Sequence, residues 1–160
     1  MGIVLARVDN RYVHGQILEG WIPYTKATYI VIASDAVARN PIQRMAMETC
    51  ATCGLNIQIL EVEDAVKRLM AGEFDKWRVI LLFGTTEEAL RAVELGLRIE
   101  ELNIGNIHFC AGKFQIAPSV SVDTEDLENL KALSEKGIRV VIRCVPSDPS
   151  RNIWEVVKRE

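Results

Sequence analysis

Short, almost unbroken runs of β-branched and other apolar residues alternate along this chain with longer stretches of helical periodicity, and that alternation constrains the fold more than any other feature. The runs lie at residues 2–8, 28–33, 55–60, 78–83 and 138–144, with a shorter one at 102–104. A strand with one wet face alternates apolar and polar residues. A solid run reads instead as a strand covered on both sides, the situation of parallel strands joined by helical crossovers. The pattern predicts an α/β fold of one domain: an open, doubly wound, mainly parallel sheet with helices on both faces. At 160 residues the chain is long enough for one well-buried core and short for two.

Helix signals fall between the runs. Ser34-Asp35, Thr85-Thr86-Glu87-Glu88 and Asp123-Thr124-Glu125-Asp126 have the capping side chains and acidic first turns of helix starts, while Gly54, Gly72, Gly96 and Gly137 stand where helices should end. The spacing of Ile42, Met45, Ala46 and Thr49 predicts one helix running on from the Ser34-Asp35 cap. Residues 114–122 read as an extended piece interrupted by Pro118 rather than a regular central strand. The domain is expected to span residues 1–146, with residues 147–160 a tail that could make one short helix through Ile153, Trp154 and Val157.

Nineteen Lys and Arg against 22 Asp and Glu leave a formal net charge of −3, so there is no global cationic field for a nucleic-acid backbone and any phosphate site must be local. No apolar run approaches the ~20 residues of a membrane-spanning helix, and the start, MGIVLARVDNR, meets charge too soon for a signal peptide. A cytoplasmic setting is expected, in which Cys50, Cys53, Cys110 and Cys144 stay reduced.

In doubly wound sheets ligands gather beyond the carboxyl ends of the strands, here the loops after residues 8, 33, 83 and 104. The first of these holds the densest polar cluster: Arg7, Asp9, Asn10, Arg11, His14, Gly15 and Gln16. An imidazole at the opening of a helix sits beside N–H groups that have no intrahelical acceptor, a setting that favours an anion. Arg11 can offer planar, paired donors to phosphate oxygens, and Asp9 can fix either an arginine or one tautomer of the imidazole. The plainer reading of a histidine in a turn is a surface or structural residue. Its place at the ligand end of the sheet, with two arginines and an aspartate alongside, favours a phosphate-handling site, although spacing alone does not name a reaction.

The same stretch, Arg7-Val8-Asp9-Asn10-Arg11-Tyr12-Val13-His14-Gly15-Gln16 followed by Trp21, resembles the N-terminal signature of the IIB subunit of the mannose/fructose/sorbose family of bacterial phosphoenolpyruvate-dependent sugar phosphotransferase systems. The resemblance continues in order through Ser34-Asp35-Ala36-Val37-Ala38 with Pro41, Leu82-Phe83, Leu102-Asn103-Ile104-Gly105, Gly112-Lys113, Val120-Ser121-Val122-Asp123 and Val145-Pro146, covering residues 3–146. It implies the same α/β fold and a phosphohistidine–sugar phosphotransferase that uses no cofactor. His14 would be the nucleophile, taking a phosphoryl group from a partner IIA protein and passing it to a sugar that enters through membrane IIC and IID proteins. Arg11 matches the arginine beside the family's phosphorylated histidine, Arg7 and Asp9 match its flanking polar positions, and Asn10, Gly15 and Gln16 are further candidates for binding or supporting the phosphate. The protein would then be cytoplasmic and peripherally attached to the permease, with IIA a separate chain. The alternative is a IIB-like regulatory protein whose phosphorylation at His14 reports sugar status without transport. Asn10, Tyr12 and Asn106 depart from the family pattern.

Other constellations carry less. His108 lies in another sheet-end loop and could approach the same cleft, but reads as structural. Cys50-Ala51-Thr52-Cys53 has redox or metal spacing without a second pair to complete a zinc tetrahedron, and it follows a helix rather than opening one. Gly105 to Gly112-Lys113 has the wrong spacing for a nucleotide phosphate loop, and Phe114 stands where a hydroxyl should hold magnesium. Trp21, near the expected docking face, is a candidate contact for the IIA partner.

Overall fold

The computed structural model describes residues 2–52 and 54–158. The elements are β1 (Ile3–Asp9), a π-helical turn (Gln16–Trp21) continuing into α1 (Ile22–Thr25), β2 (Tyr29–Ala33), α2 (Asp35–Ala38), α3 (Pro41–Glu48), β3 (Asn56–Leu60), α4 (Val62–Met70), β4 (Val79–Phe83) and α5 (Thr86–Glu94). They continue with β5 (Glu101–Asn106), β6 (Phe114–Ala117), β7 (Val120–Val122), α6 (Thr124–Glu135), β8 (Arg139–Ile142), β9 (Arg151–Asn152) and α7 (Ile153–Val157). Seven strands form one sheet in the order β3-β2-β4-β1-β5-β8-β9, and all of its pairings are parallel except the last.

Alternation along each strand sends neighbouring side chains to opposite faces. Val31, Ala33, Val79, Leu81, Phe83, Leu102 and Ile104 pack with α4, α5, α6 and α7 in one core. Ile30, Ile32, Ile80 and Leu82 pack under the π-helical turn, α1 and α2 in a second. The chain leaves β1 toward the second face, whereas the connection from its neighbour β5 runs on the first. That divergence opens a crevice at the carboxyl ends of β1 and β5, the switch point of a doubly wound sheet.

One local expectation is corrected. The helix predicted from Ser34 to Thr49 is split, because Pro41 excludes helical backbone at the residue before it; Asn40 is extended (φ −108°, ψ 101°) and its side chain caps the new helix by accepting from the Gln43 N–H. The apolar row of α3 faces water rather than the core, with Ile42 83% and Met45 67% exposed. Residues 114–122 form a separate antiparallel hairpin, β6–β7, with Pro118 between its strands. Residues 151–157 are folded too: β9 pairs antiparallel with β8, and Ile153 and Val156 of α7 are buried in the first core. Among the described residues no helix is long and apolar enough to cross a membrane.

Candidate functional site

Alternation on β1 places Ala6 and Val8 in the first core and sends Arg7 and Asp9 to the second face, where both are fully buried. Asn103 lies beside Arg7 on β5. At the next step the register slips: Val8 pairs with Ile104 but Asp9 pairs with Asn106, so Gly105 is an extra residue. The slip brings the Asn106 amide onto the face it would otherwise miss, where Nδ2 donates to Asp9 Oδ2 at 2.9 Å. Gly105 also makes room, since a Cβ there would lie 2.0 Å from Arg7 Cζ.

The Asp9 carboxylate is the hub. Oδ2 accepts from Arg7 Nε (3.2 Å), Arg7 Nη2 (3.1 Å) and Asn106 Nδ2, and lies 2.7 Å from His14 Nε2, while Oδ1 accepts the Arg11 backbone N–H at 3.0 Å. Burial alone would push this carboxyl up, but the bond to His14 and the Arg7 charge outweigh it and hold Asp9 below the usual carboxylate range. Arg7 is spent on its neighbours: Nη1 donates to Asn103 Oδ1 at 2.7 Å and to the Arg143 carbonyl at 3.0 Å, and the guanidinium lies 5.3 Å from the centre of the Trp21 ring. Burial lowers its pKa, with the Asp9 charge opposing. Arg7 therefore acts by holding Asp9, out of reach of any ligand.

Arg11 is exposed, and only its Nη2 is engaged, by Gln16 Oε1 and Asn106 Oδ1 at 3.0 Å each. Gln16 Oε1 also accepts from Asn106 Nδ2 at 3.0 Å. The network thus joins Arg7, Asp9, Arg11, His14 and Gln16 and adds Asn103 and Asn106 from β5. Asn10 stands apart: its backbone N–H donates to the Asn106 carbonyl, and its buried side-chain oxygen has no partner. Gly15 has helical angles, and nothing lies within 4 Å of where its Cβ would be.

The loop carrying His14 is pinned from the other side by Tyr12. Its backbone is left-handed (φ 57°), which is costly for an aromatic residue, and its buried ring reaches over Gly84, where a Cβ would meet the hydroxyl at 2.0 Å. The hydroxyl bonds Ser34 Oγ at 3.2 Å, and Glu88 receives the Gly84 N–H at 3.0 Å. Burial raises the pKa of both Tyr12 and Glu88. After His14 the first bonds are ordinary, its carbonyl accepting from both Ile17 and Leu18; the winding then widens, the Ile22 N–H donating to the Ile17 carbonyl five residues back, and Pro23, which cannot donate, follows the π-helical turn.

Asn103 and Asn106 escaped the sequence reading because their partners lie 96 and 97 residues away; the only signal was two amides on an otherwise apolar run. Trp21 is corrected as a partner contact: it is 2% exposed, with Nε1 donating to the Cys144 carbonyl at 3.0 Å. Lys113 is held by Asp126 and Asp123 rather than facing a phosphate. Cys50, Cys110 and Cys144 are free thiols, and Cys53 lies outside the described residues. His108 lines a groove beside Arg11 and Gln16.

Residues 3–160 match the model of the PTS system sorbose subfamily IIB component. The chain is 30% identical to the fructose-specific EIIB component of Bacillus subtilis strain 168, covering 99% of this chain and 97% of that one. It is 31% identical to the mannose-specific EIIAB component of Escherichia coli K12 over 99% of its own length, and spans about half (49%) of that longer relative. The solved IIBSor domain of the sorbose permease from Klebsiella pneumoniae superposes with a TM-score of 0.93 at 31% identity, covering 99% of this chain and 98% of that one. With the family model matched over residues 3–160 and the fold in agreement over nearly the whole chain, this protein belongs to the sorbose subfamily of phosphotransferase-system IIB components.

Proposed function

We propose that this chain is a phosphocarrier that takes a phosphoryl group on Nδ1 of His14 from the phosphohistidine of a IIA protein and hands it to a sugar brought in by membrane IIC and IID proteins. The observation that carries the proposal is the 2.7 Å contact between His14 Nε2 and Asp9 Oδ2. An ionised Asp9 can only accept, so Nε2 keeps its proton and Nδ1 keeps the lone pair that attacks phosphorus. As the new N–P bond forms, the donor's N–P bond breaks; in the second half, a sugar hydroxyl oxygen bonds to phosphorus as the Nδ1–P bond breaks, the bonding pair returning to Nδ1 and the hydroxyl proton leaving to solvent. Asp9 meanwhile faces the positive charge that the ring acquires when Nδ1 is phosphorylated.

Phosphoryl transfer asks mainly for positioning and for donors on the equatorial oxygens. Arg11 has Nε and Nη1 to spare for them, and the backbone N–H groups of Gly15 and Gln16 precede the first that bond back to the His14 carbonyl, those of Ile17 and Leu18. A Cβ at Gly15, the residue after His14, would meet nothing within 4 Å beyond its chain neighbours, so that side of the turn is uncrowded. The carrier would work at the cytoplasmic face of the permease, attached peripherally.

The test is a phosphoenolpyruvate-driven relay with a charged IIA, applied to wild type, His14→Ala and His108→Ala and read by intact mass and acid lability. One acid-labile phosphoryl group that disappears only with His14→Ala is expected. A label that survives His14→Ala but is lost with His108→Ala would overturn the assignment.

A further inference from the structure

The buried half of the site has a back wall, the turn of residues 143–148 that follows β8. The Arg143 carbonyl accepts from Arg7 Nη1 and Asn103 Nδ2, each at 3.0 Å, and the next carbonyl, that of Cys144, accepts from Trp21 Nε1 at 3.0 Å. We infer that the Arg143 side chain is a positioning residue for the phosphoryl transfer: by holding this turn in shape it sets Arg7, and through Arg7 and Asp9 the ring of His14. This role rests on the function proposed above.

The turn is wound around that one side chain. Nε of Arg143 donates to the Asp148 carbonyl at 2.9 Å, and Nη2 donates to the Pro146 carbonyl. Between them the Asp148 N–H donates to the Val145 carbonyl at 3.0 Å, and the Val145 N–H to Asp148 Oδ2 at 3.4 Å. At the other end the Arg143 N–H donates to the Ile104 carbonyl at 3.3 Å, which ties the turn to β5. A planar guanidinium can serve two carbonyls while its face rests on an aromatic ring. Here Cζ lies 5.5 Å from the centre of the Trp21 ring and 5.3 Å from that of Tyr24, and the two rings meet edge to face at 5.8 Å. Because Arg7 lies 5.3 Å from the same indole, two cations share Trp21, one fully buried and one half-buried.

The path from there to His14 is short and stiff. Nη1 of the buried Arg7 has the Asn103 side chain and the Arg143 carbonyl as its acceptors. Nε and Nη2 of the same rigid fork hold Asp9 Oδ2 at 3.2 and 3.1 Å, so a tilt admitted at Nη1 moves the carboxylate that faces His14. Among the described residues the Arg143 side chain bonds neither His14 nor Arg11, and it stands apart from the groove beside them. Its influence therefore runs through Arg7 and not through contact with the phosphoryl group.

Arg143→Met keeps an unbranched stem beside Trp21 but removes the charge and both donors. Charging by phospho-IIA over a range of IIA concentrations, together with nitrogen NMR shifts of the His14 ring, separates positioning from packing. A saturating rate lowered about tenfold is expected, the scale of a misplacement of about half an ångström, with the half-saturating concentration within about twofold of wild type. The His14 ring is expected to lose its uniform Nε2–H tautomer. An unchanged saturating rate and tautomer in the folded variant would overturn the role and leave Arg143 to packing alone. A raised half-saturating concentration at an unchanged rate would overturn it in favour of a donor-protein contact. If Arg143→Met does not fold, Arg143→Lys, which keeps the charge but cannot fork to two carbonyls, is expected to lose about threefold in saturating rate; wild-type behaviour there would overturn the role. Failure of wild type to take label would bring down the carrier function with it, whereas normal labelling of wild type confines any failure to Arg143.

Discussion

Strands β2 and β4 present Ile30, Ile32, Ile80 and Leu82 to the same face of the sheet on which β1 and β5 present Arg7, Asp9 and Asn103, and both sets are buried to 2% exposure or less. The two halves are equally dry but are held by different physics. Apolar burial is non-directional, so a truncated side chain costs its area and a cavity while its neighbours stay content. In the polar half every group is another group's partner, and deleting one leaves a buried charge or amide unpaired. That half is less forgiving, and it is the half that can fix an imidazole to a tautomer.

The sharpest way to break this division is to truncate one large residue in each half. Arg7→Ala should cost about 3–5 kcal/mol, because Asp9 is left buried without its cation, and the molecules that remain folded should take almost no label on His14. Leu82→Ala should cost about 3 kcal/mol, yet its folded fraction should be labelled at the wild-type rate. Chemical denaturation combined with labelling per folded molecule checks both. If Leu82→Ala slowed labelling as much as Arg7→Ala, the two halves would not be functionally distinct.

A pair of glycines sharpens the comparison. Gly105→Ala drives a methyl group into the Arg7 guanidinium and should destabilise by about 2–3 kcal/mol. Gly15→Ala meets open space, so its stability should stay within about 0.5 kcal/mol, while label uptake falls because the methyl group takes room beside His14. Thermal melts and the relay would distinguish them; equal melting temperatures for the two variants would contradict the close approach at Gly105.

The smallest effects concern two buried carboxyls with opposite pH signatures. The folded pKa of Asp9 lies below its unfolded value of ~3.9, so its stabilisation is present above that value and lost as the pH falls through the folded pKa. Asp9→Asn should therefore be less stable than wild type by about 1–2 kcal/mol near neutrality, with the gap closing below pH ~4, and should charge on the order of a hundredfold more slowly. Glu88 is raised by burial, so stability is lost as the pH rises from its unfolded ~4.3 through the folded pKa. Glu88→Gln should match wild type near pH 4 and gain slightly at pH 7. Unfolding free energies between pH 3 and 8 decide both signs.

The architecture was legible because its cause is local. Covered parallel strands have to be apolar on both sides, and Val79 to Phe83 shows that in five consecutive letters. The cluster from Arg7 to Gln16 was legible for the same reason, being carried on one strand and the turn after it. What did not show depends on pairing at a distance. Neither the slip at Gly105 nor the arrival of Asn106 at Asp9 leaves a mark in either segment alone. The split at Asn40-Pro41 was readable and overlooked, since the proline signal is local; the outward face of α3 was not, since periodicity says which residues share a face but not which way the face turns.

One consequence follows from the crowding around Asp9. Oδ2 receives four contacts and Oδ1 a fifth, from four residues, and the side chain is fully buried. A carboxylate so enclosed is kept from taking a proton from water, and a water molecule beside the phosphorylated ring gets no help from it. Stored phosphate is then expected to outlast the interval between partner encounters, a property visible as slow loss of acid-labile label from the charged chain kept without permease. The same side chain that readies His14 to receive also keeps the delivery from leaking away in transit.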